Sequence, residues 1–338
     1  MNDAREAIGQ YFGSKNKAWL AKGFDEFAAQ SVEVNGVDWA VKETSGFRQL
    51  NDRRGLVQQK SDMGIVIEQM RISPNEDRAT VLVTEQMLWL YNLNDEMEEE
   101  QRSTLHKLAL RLQNGQWIVV SDVVEVETFG FGKRDPSQPL AKMDNGDAWI
   151  TGEGVVVRPE LLGSNRPSTL RNKSVYNRLA AVRYAELWWN SYNPNYRKFD
   201  VDCTNYTSQC LHAGGAPFVG GGTRDKGWWY RSGSEGGWSY SWAVVHSFRW
   251  FLASGSGGWH ATELGDPRQL KVGDIICYDW NGDGHWQHST IVIDFDATGM
   301  PLVNAHTVNS RRRYWDYSDS YAYSANTRYT FFHIPDMF

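Results

Sequence analysis

The chain has 338 residues, a net charge of −6 and 41% hydrophobic residues, a composition typical of a globular protein with about two domains. Its acidic balance offers no basic surface, which excludes nucleic acid as an expected partner. No apolar run is long enough to span a membrane, and the first residues do not form a secretory signal. The three cysteines include no Cys-x-x-Cys pair, so we expect no disulfide framework, no metal site and no cofactor.

The first predicted unit, residues 1–126, combines helices with an antiparallel sheet. Two apolar stripes predict helix over residues 2–30. Alternating apolar residues predict strands over residues 61–72, 79–90, 104–112 and 117–123. Asn114-Gly115 predicts a tight hairpin between the last two strands, and the acidic run 95–101 is predicted to be a solvated loop.

This order of elements predicts an α+β domain. In pattern it resembles the cone-shaped nuclear-transport-factor-like fold, although no motif accompanies the pattern. We find no histidine and carboxylate at a diagnostic spacing here, so residues 1–126 are interpreted as an accessory domain. Residues 127–173 are rich in glycine and proline, which predicts a linker with a short strand near residues 154–158.

The second predicted domain, residues 174–338, also alternates helix and strand. Helices are predicted over residues 174–190, 203–213 and 238–253. Strands are predicted over residues 272–280, 287–294, 300–307 and 328–334. A glycine-rich loop over residues 214–237 carries several aromatic side chains on a predicted surface. Helices packed on an antiparallel sheet again predict an α+β arrangement.

Cys203 lies where a thiol is reactive, in the first turn of a predicted helix. Asp202 is a good N-cap residue, and Gly214 and Gly215 supply a helix stop. The free N–H groups and the dipole of a helix start favour a thiolate, which is the nucleophilic form. The adjacent Asp202 opposes this effect, so a histidine is needed to activate the thiol. The alternative is an inert buried cysteine, as we expect for Cys210.

The candidate base is His288, at the start of a predicted strand. If residues 287–294 and 300–307 pair as a hairpin, His288 lies near the strand that carries Asn304 and His306. Those two side chains share a face because they are two residues apart. A cysteine, a histidine and a polar group that orients the histidine form a nucleophilic site. Taken singly, each histidine is equally well explained as structural.

Several segments together resemble a bacterial amidase domain family related to the papain-like NlpC-type and CHAP-type cysteine amidases and peptidases. The segments are 175–178, 193–196, 202–215, 241–242, 273–280, His288 and 301–307. The resemblance covers about residues 172–335 and implies a papain-like fold. It implies Cys203 as the nucleophile, His288 as the general base and His306 as the third member, with Asn304 as the alternative. It also implies a peptide or amide substrate such as peptidoglycan, and a location outside the cell or in its envelope. Because the first residues do not form a secretory signal, a cytoplasmic location is the alternative.

Three other interpretations remain open. Residues 279–284 copy the first half of an EF-hand loop, but a tight turn before His288 is the simpler interpretation. Trp228, Trp229, Tyr230 and Trp238 can form an aromatic groove for peptide or glycan in a binding module without catalysis. A thioester on Cys203 can also pass its acyl group to an amine, which describes an acyltransferase.

Overall fold

The computed structural model of the chain describes residues 2–19, 38–124, 174–254 and 258–338. Its helices are α1 (Asn2–Trp19), α2 (Asp38–Arg54), α3 (Arg178–Trp188), α4 (Cys203–Ala213), α5 (Tyr240–Ala243) and α6 (Val245–Ser254), with a 3₁₀ turn at Pro267–Gln269. Its strands are β1 (Val57–Ile72), β2 (Arg78–Leu93), β3 (Glu96–Gln113), β4 (Gln116–Val124), β5 (Thr262–Leu264), β6 (Ile275–Asp279), β7 (His288–Phe295), β8 (Pro301–Ala305), β9 (Asn309–Tyr314) and β10 (Arg328–His333).

All ten strands belong to one sheet, in the order β1-β2-β3-β9-β8-β7-β6-β10-β5, with β4 paired to β3. Every pairing in the sheet is antiparallel. Strands β3 and β9 join the first and second halves of the chain through residues 101–103 and 309–311. The α+β prediction is therefore confirmed, and the two helix-and-sheet regions share a continuous sheet.

The first half contains the predicted strands and the Asn114-Gly115 hairpin between β3 and β4. The loop predicted for residues 95–101 is wrong, because most of that run is the start of β3. Glu98 and Glu100 are buried there, and each contacts an arginine: Arg54 and Arg102, respectively. Charge alone predicted a loop, whereas buried carboxylates are stable in a strand when cations meet them. Helix α2 was not predicted.

The second half contains the predicted helix and strand layers with shifted ends. Helix α3 begins at Arg178, and its N-cap is Asn177, whose side chain accepts from the Ala180 N–H at 3.0 Å. The single helix predicted for 238–253 is two short helices that meet at Val244. Strands β5 and β9 were not predicted. The predicted linker and its short strand lie outside the described residues.

The core of the second half centres on helix α4, whose residues from Cys203 to Leu211 are all buried. A helix that is apolar or paired on every face belongs inside a domain. The aromatic side chains of the glycine-rich loop pack here, so the prediction that they lie on the surface is wrong. Trp228 is fully buried and donates to the Ser208 hydroxyl at 3.0 Å. Trp229, Tyr230 and Trp238 are also buried, which removes the support for an aromatic groove.

Among the described residues, no helix combines the length and the apolar character needed to cross a membrane.

Candidate active site

Cys203 is the first residue of α4, and its side chain is buried. The first bond of the helix, from the Tyr206 N–H to the Asp202 carbonyl at 2.9 Å, begins at the same point. N–H groups of a first helical turn have no carbonyl partner in their own helix and form the positive end of its dipole. The thiol therefore lies where the sequence predicts, in a position that favours a thiolate.

Asp202 occupies the predicted N-cap position, but its carboxylate does not cap the helix. One oxygen accepts from the Phe199 N–H at 3.0 Å and from the Asn205 amide at 2.9 Å. The other oxygen lies 2.8 Å from Nδ1 of His306. The predicted role of this carboxylate is therefore wrong: it ties the residue before Cys203 to neighbouring segments, and tertiary contacts hold the start of the helix.

His306 lies just beyond β8 and is buried against the start of α4. Its Nδ1 contacts Asp202, its Nε2 lies 2.7 Å from the Trp188 carbonyl oxygen, and its ring stacks on Tyr206 at 4.1 Å. These contacts place the His306 ring against Asp202, the residue that directly precedes Cys203.

Asn304 lies in β8, beside Ile291 of β7. Its amide donates to Glu186 at 2.8 Å, and its oxygen accepts from the Arg312 N–H at 2.9 Å. Of the two candidates for the third position, the structure brings His306 to the residue that precedes Cys203. A direct role of either side chain in orienting His288 stays a prediction.

His288 is the first residue of β7, pairs with Tyr278 of β6 and is fully buried. The rings of Tyr278, Trp280 and Tyr317 lie around it, with centroid distances of 5.3, 5.7 and 5.2 Å. Burial, and then the charge of Arg313, lower the pKa of His288 to about 3. The imidazole is therefore neutral at neutral pH, and a neutral imidazole can accept a proton.

Two neighbouring hydroxyls bring the start of α4 against the start of β7. Thr204 follows Cys203, Ser289 follows His288, and their oxygens lie 3.3 Å apart. Thr207, one turn further along α4, contacts the same Ser289 hydroxyl at 3.2 Å. The predicted hairpin of β7 and β8 is confirmed. The sequence thus anticipated which helix and strand meet at the candidate site.

The other two cysteines differ from Cys203 in position. Cys210 lies in the middle of α4 and Cys277 in β6, and both are fully buried. Burial raises the pKa of both thiols, which keeps them protonated and unreactive. The prediction that Cys210 is a core residue agrees with this environment.

Sequence analysis missed the aromatic and cationic surroundings of His288. Tyr278 and Trp280 are two residues apart around a predicted strand end, so their shared face was a usable signal. Arg313 and Tyr317 belong to β9 and the segment that follows it, which showed no strand pattern. The guanidinium of Arg313 lies 3.9 Å from the centroid of the Tyr317 ring.

The segment that resembles half of an EF-hand forms the turn between β6 and β7. The Asp279 carboxylate accepts from the N–H groups of Gly282 and Gly284, at 2.9 and 2.8 Å. These bonds close a turn and leave the carboxylate engaged with backbone. Within the described ranges, no group of three or more His, Cys, Asp or Glu side chains is arranged to hold a metal ion.

The first half of the chain does contain a histidine paired with carboxylates, which the sequence analysis failed to find. His106 Nδ1 lies 2.9 Å from Asp122, and Nε2 lies 3.2 Å from Glu85. Lys15 contacts Glu85 at 2.7 Å, and Tyr11 donates to Asp122 at 2.7 Å. Burial favours the neutral form of Glu85, but Lys15 and His106 outweigh it and lower its pKa to about 2. Contacts across α1, β2, β3 and β4 brought these residues together, not a local spacing.

Cys203 and His288 are both buried, and they lie on a helix and a strand that contact each other in one α+β scaffold. Residues 175–332 match the family model described as "Putative amidase domain". This match indicates an amidase-like hydrolase domain in the second half of the chain. It includes every predicted site residue.

Two curated relatives from Bacillus subtilis (strain 168) are similar to this chain. "Uncharacterized protein YhbB" is 52% identical over 161 residues, which cover 48% of this chain and 51% of that protein. "Uncharacterized protein YjcM" is 28% identical over 142 residues, covering 40% of this chain and 31% of that protein. The chain thus spans about half the length, or less, of these relatives.

One solved structure, the intermembrane space region of the chloroplast protein ARC6, aligns with 36% of this chain and 95% of its own length. Its sequence identity is 13% and the TM-score is 0.25, which is too low to support a shared fold.

The low proton affinity of His288 predicts a specific pH dependence of stability. The unfolded state binds a proton near pH 6.5, whereas the folded state binds it only near pH 3. Between those values the unfolded chain holds more protons, so this group's stabilisation is complete above pH 6.5 and lost as the pH falls. We expect wild type to lose about 2 kcal/mol more than His288→Gln between pH 7 and pH 5. Urea unfolding at both pH values measures the difference, and parallel losses in the two proteins contradict the expectation.

Proposed function

We propose that residues 174–338 form a cysteine-dependent amide hydrolase with Cys203 as nucleophile and His288 as general base. The contact between Thr204 and Ser289 carries the proposal, since it joins the residues that directly follow the thiol and the imidazole. The amidase family match over residues 175–332 supports the same reaction class. Two features of the surroundings agree: Cys203 is at a helix start, and His288 is held neutral.

The proposed reaction proceeds in two halves. The Cys203 proton passes to His288 as the sulfur attacks the amide carbonyl carbon, and N–H groups of the α4 start stabilise the oxyanion. The C–N bond then breaks, His288 gives its proton to the leaving amine, and a thioester remains on Cys203. Water attacks the thioester carbonyl while His288 accepts a water proton. The carboxylic acid leaves, and the proton returns to the sulfur.

The proposed substrate class is peptide amides, with cell-wall peptides as the first candidates. The family resemblance to NlpC-type and CHAP-type enzymes motivates this choice and a site of action at the cell envelope. The third member of the site is proposed to be His306, because it contacts Asp202 beside the nucleophile. Asn304 is the alternative, and comparing His306→Gln with Asn304→Ala separates them.

Digestion of purified peptidoglycan peptides in water enriched in ¹⁸O tests the proposed reaction. We expect a new carboxylate that carries one ¹⁸O atom and a new free amine, both detected by mass spectrometry. In the presence of a simple primary amine, a hydrolase still forms mainly the carboxylate. If the new amide predominates, the enzyme is an acyltransferase. If no peptide and no simple acyl amide is cleaved, the hydrolase proposal is wrong.

A further inference from the structure

A series of buried charged side chains connects the first half of the molecule with the surroundings of His288. Arg102 of β3 contacts the Asp319 carboxylate, and Asp319 in turn lies 3.2 Å from Nη2 and 3.3 Å from Nε of Arg313. Arg102, Asp319 and Arg313 are almost fully buried. The Arg313 guanidinium lies 3.9 Å from the centroid of the Tyr317 ring, and that ring lies 5.2 Å from the His288 ring. The charge of Arg313 lowers the pKa of His288. Charges removed from water interact over longer distances than exposed ones.

The other carboxylates that contact Arg102 lie in the first half of the polypeptide. Glu43 of α2 accepts from Nη1 of Arg102 at 2.9 Å, and Glu100 accepts from its Nε at 2.7 Å. The Arg102 guanidinium also lies 5.1 Å from the centroid of the Trp89 ring. Arg102 is therefore held by side chains of β3, α2 and β2. Its remaining edge faces Asp319.

Helix α2 packs closely against the segment that contains Asp319 and Tyr317. Lys42 donates to the Tyr321 carbonyl at 2.7 Å, and Arg53 donates to the Ser318 hydroxyl at 2.9 Å. Between them, a Cβ at Gly46 would lie 3.0 Å from the Asp319 Cα, so only glycine lets the helix approach this closely. The segment over His288 is thus held in place by the first half of the chain.

We propose that Arg102 is a positioning residue of the candidate active site, acting through Asp319 and Arg313 on His288. This inference rests on the proposed function, and it gives the first half of the chain a role in catalysis. Arg102 lies among the carboxylates of Glu43, Glu100 and Asp319, so its charge offsets negative charge close to Arg313 and the imidazole. Loss of Arg102 removes one positive charge from this cluster.

The titratable or charged groups that face His288 include Tyr278, Tyr317 and Arg313, with the Cys203 thiol as its proposed partner. Burial raises the pKa of Tyr278, so that phenol stays neutral. The positive charge of Arg313 disfavours a protonated His288 and favours a Cys203 thiolate. Removing the positive charge of Arg102 weakens both preferences. The acid side of the reactivity profile must then move to higher pH.

The test measures the pH dependence of Cys203 alkylation by iodoacetamide, resolved by site with mass spectrometry. In Arg102→Gln, which keeps a donor for Asp319 but removes the charge, we expect the acid midpoint to rise by about one pH unit. A unit charge roughly 10 Å away in an effective dielectric near about 20 has this effect. Arg102→Lys keeps the charge, and we expect its midpoint within a few tenths of a unit of wild type.

The matched control is Arg54→Gln. Arg54 is a second buried arginine between the two halves, and it contacts Glu98 and Asp296 rather than Asp319. We expect its midpoint to equal that of wild type. An equal rise in Arg54→Gln and Arg102→Gln would show a general effect of the junction and overturn the inference. An unchanged midpoint in Arg102→Gln would also overturn it.

A second variant covers the case in which Arg102→Gln does not fold. Glu43 is partly exposed, with a side chain 14% accessible, so Glu43→Gln is tolerated by the fold. Loss of its negative charge makes the cluster around Arg102 more positive, and we expect the midpoint to fall by a few tenths of a unit. An unchanged or higher midpoint refutes the role of this charge chain.

A direct measurement of the protonation state of His288 distinguishes a failure of this inference from a failure of the proposed function. The ¹⁵N resonances of the imidazole, assigned with His288→Gln, report its protonation whether or not Cys203 reacts. A shift of this titration in Arg102→Gln supports the inference even if wild-type Cys203 shows no activation. Activated Cys203 in wild type, with identical His288 titrations in wild type and Arg102→Gln, sustains the proposed function and overturns the inference.

Discussion

Replacing Cys203 by alanine is expected to lower acyl transfer from p-nitrophenyl acetate by at least about 10⁴-fold. A covalent nucleophile has no substitute in the site, and loss of such groups removes most of the rate enhancement of a hydrolase. Cys203 is the cysteine at a helix start, where the N–H groups favour a thiolate. The measurement is the burst of p-nitrophenolate, together with the mass of acetylated Cys203.

Cys210→Ala is the matched control for this prediction. Cys210 lies in the same helix, two turns after Cys203, and burial raises the pKa of its thiol. We expect the control to keep the burst, with only a loss of stability typical of a small core truncation, about 1 kcal/mol. A burst that survives in Cys203→Ala, or that disappears only in Cys210→Ala, would assign the nucleophile elsewhere.

Replacing His288 by glutamine is expected to slow alkylation of Cys203 at pH 6 by about 10²-fold. Without a base, the thiol ionises near its ordinary pKa of about 8.5, and only a small fraction is thiolate at pH 6. The wild-type thiol should react faster because the neutral His288 imidazole accepts its proton as the sulfur attacks. The rate of the variant should rise with pH and approach wild type near pH 9.

His212→Gln is the control for the histidine prediction. His212 lies in the last turn of the same helix, where its ring stacks on Phe218 at 4.2 Å. Its Nδ1 lies 3.2 Å from the Ala216 carbonyl oxygen, at the end of the helix opposite Cys203, so we expect a wild-type pH profile. Equal, ordinary reactivity of Cys203 in wild type and His288→Gln would contradict an activated pair and leave the domain without its proposed base.

Two buried polar clusters of the molecule differ in the elements that they connect. The network of Lys15, Glu85, His106 and Asp122 is buried and contains equal numbers of acids and bases. Such networks cost desolvation energy and fix one arrangement of the surrounding elements. The chain through Arg102 and Asp319 instead crosses from β3 to the segment after β9. A folding role and a role in the candidate site are therefore carried by separate clusters.

Local sequence signals were sufficient to predict several helices and strands. A cap residue, a helical stripe and a glycine stop defined the Cys203 helix, and Gly215 adopts the left-handed φ of +97° that such a stop uses. Alternating apolar residues defined most strands, and a turn between two of them brought His288 into a hairpin. These signals are local because they arise from backbone geometry and from the side-chain period of each element.

The partners of the buried charged side chains become visible only in the folded structure. Asp202 meets His306 across 104 residues and Arg102 meets Asp319 across 217 residues, and no local period encodes such a pair. Glu98 and Glu99 of β3 looked like loop residues because their arginine partners, Arg54 and Arg311, come from other segments. Buried charges are stable only when opposite charges meet them, so the assembled fold, and not the local sequence, decides where such residues are placed.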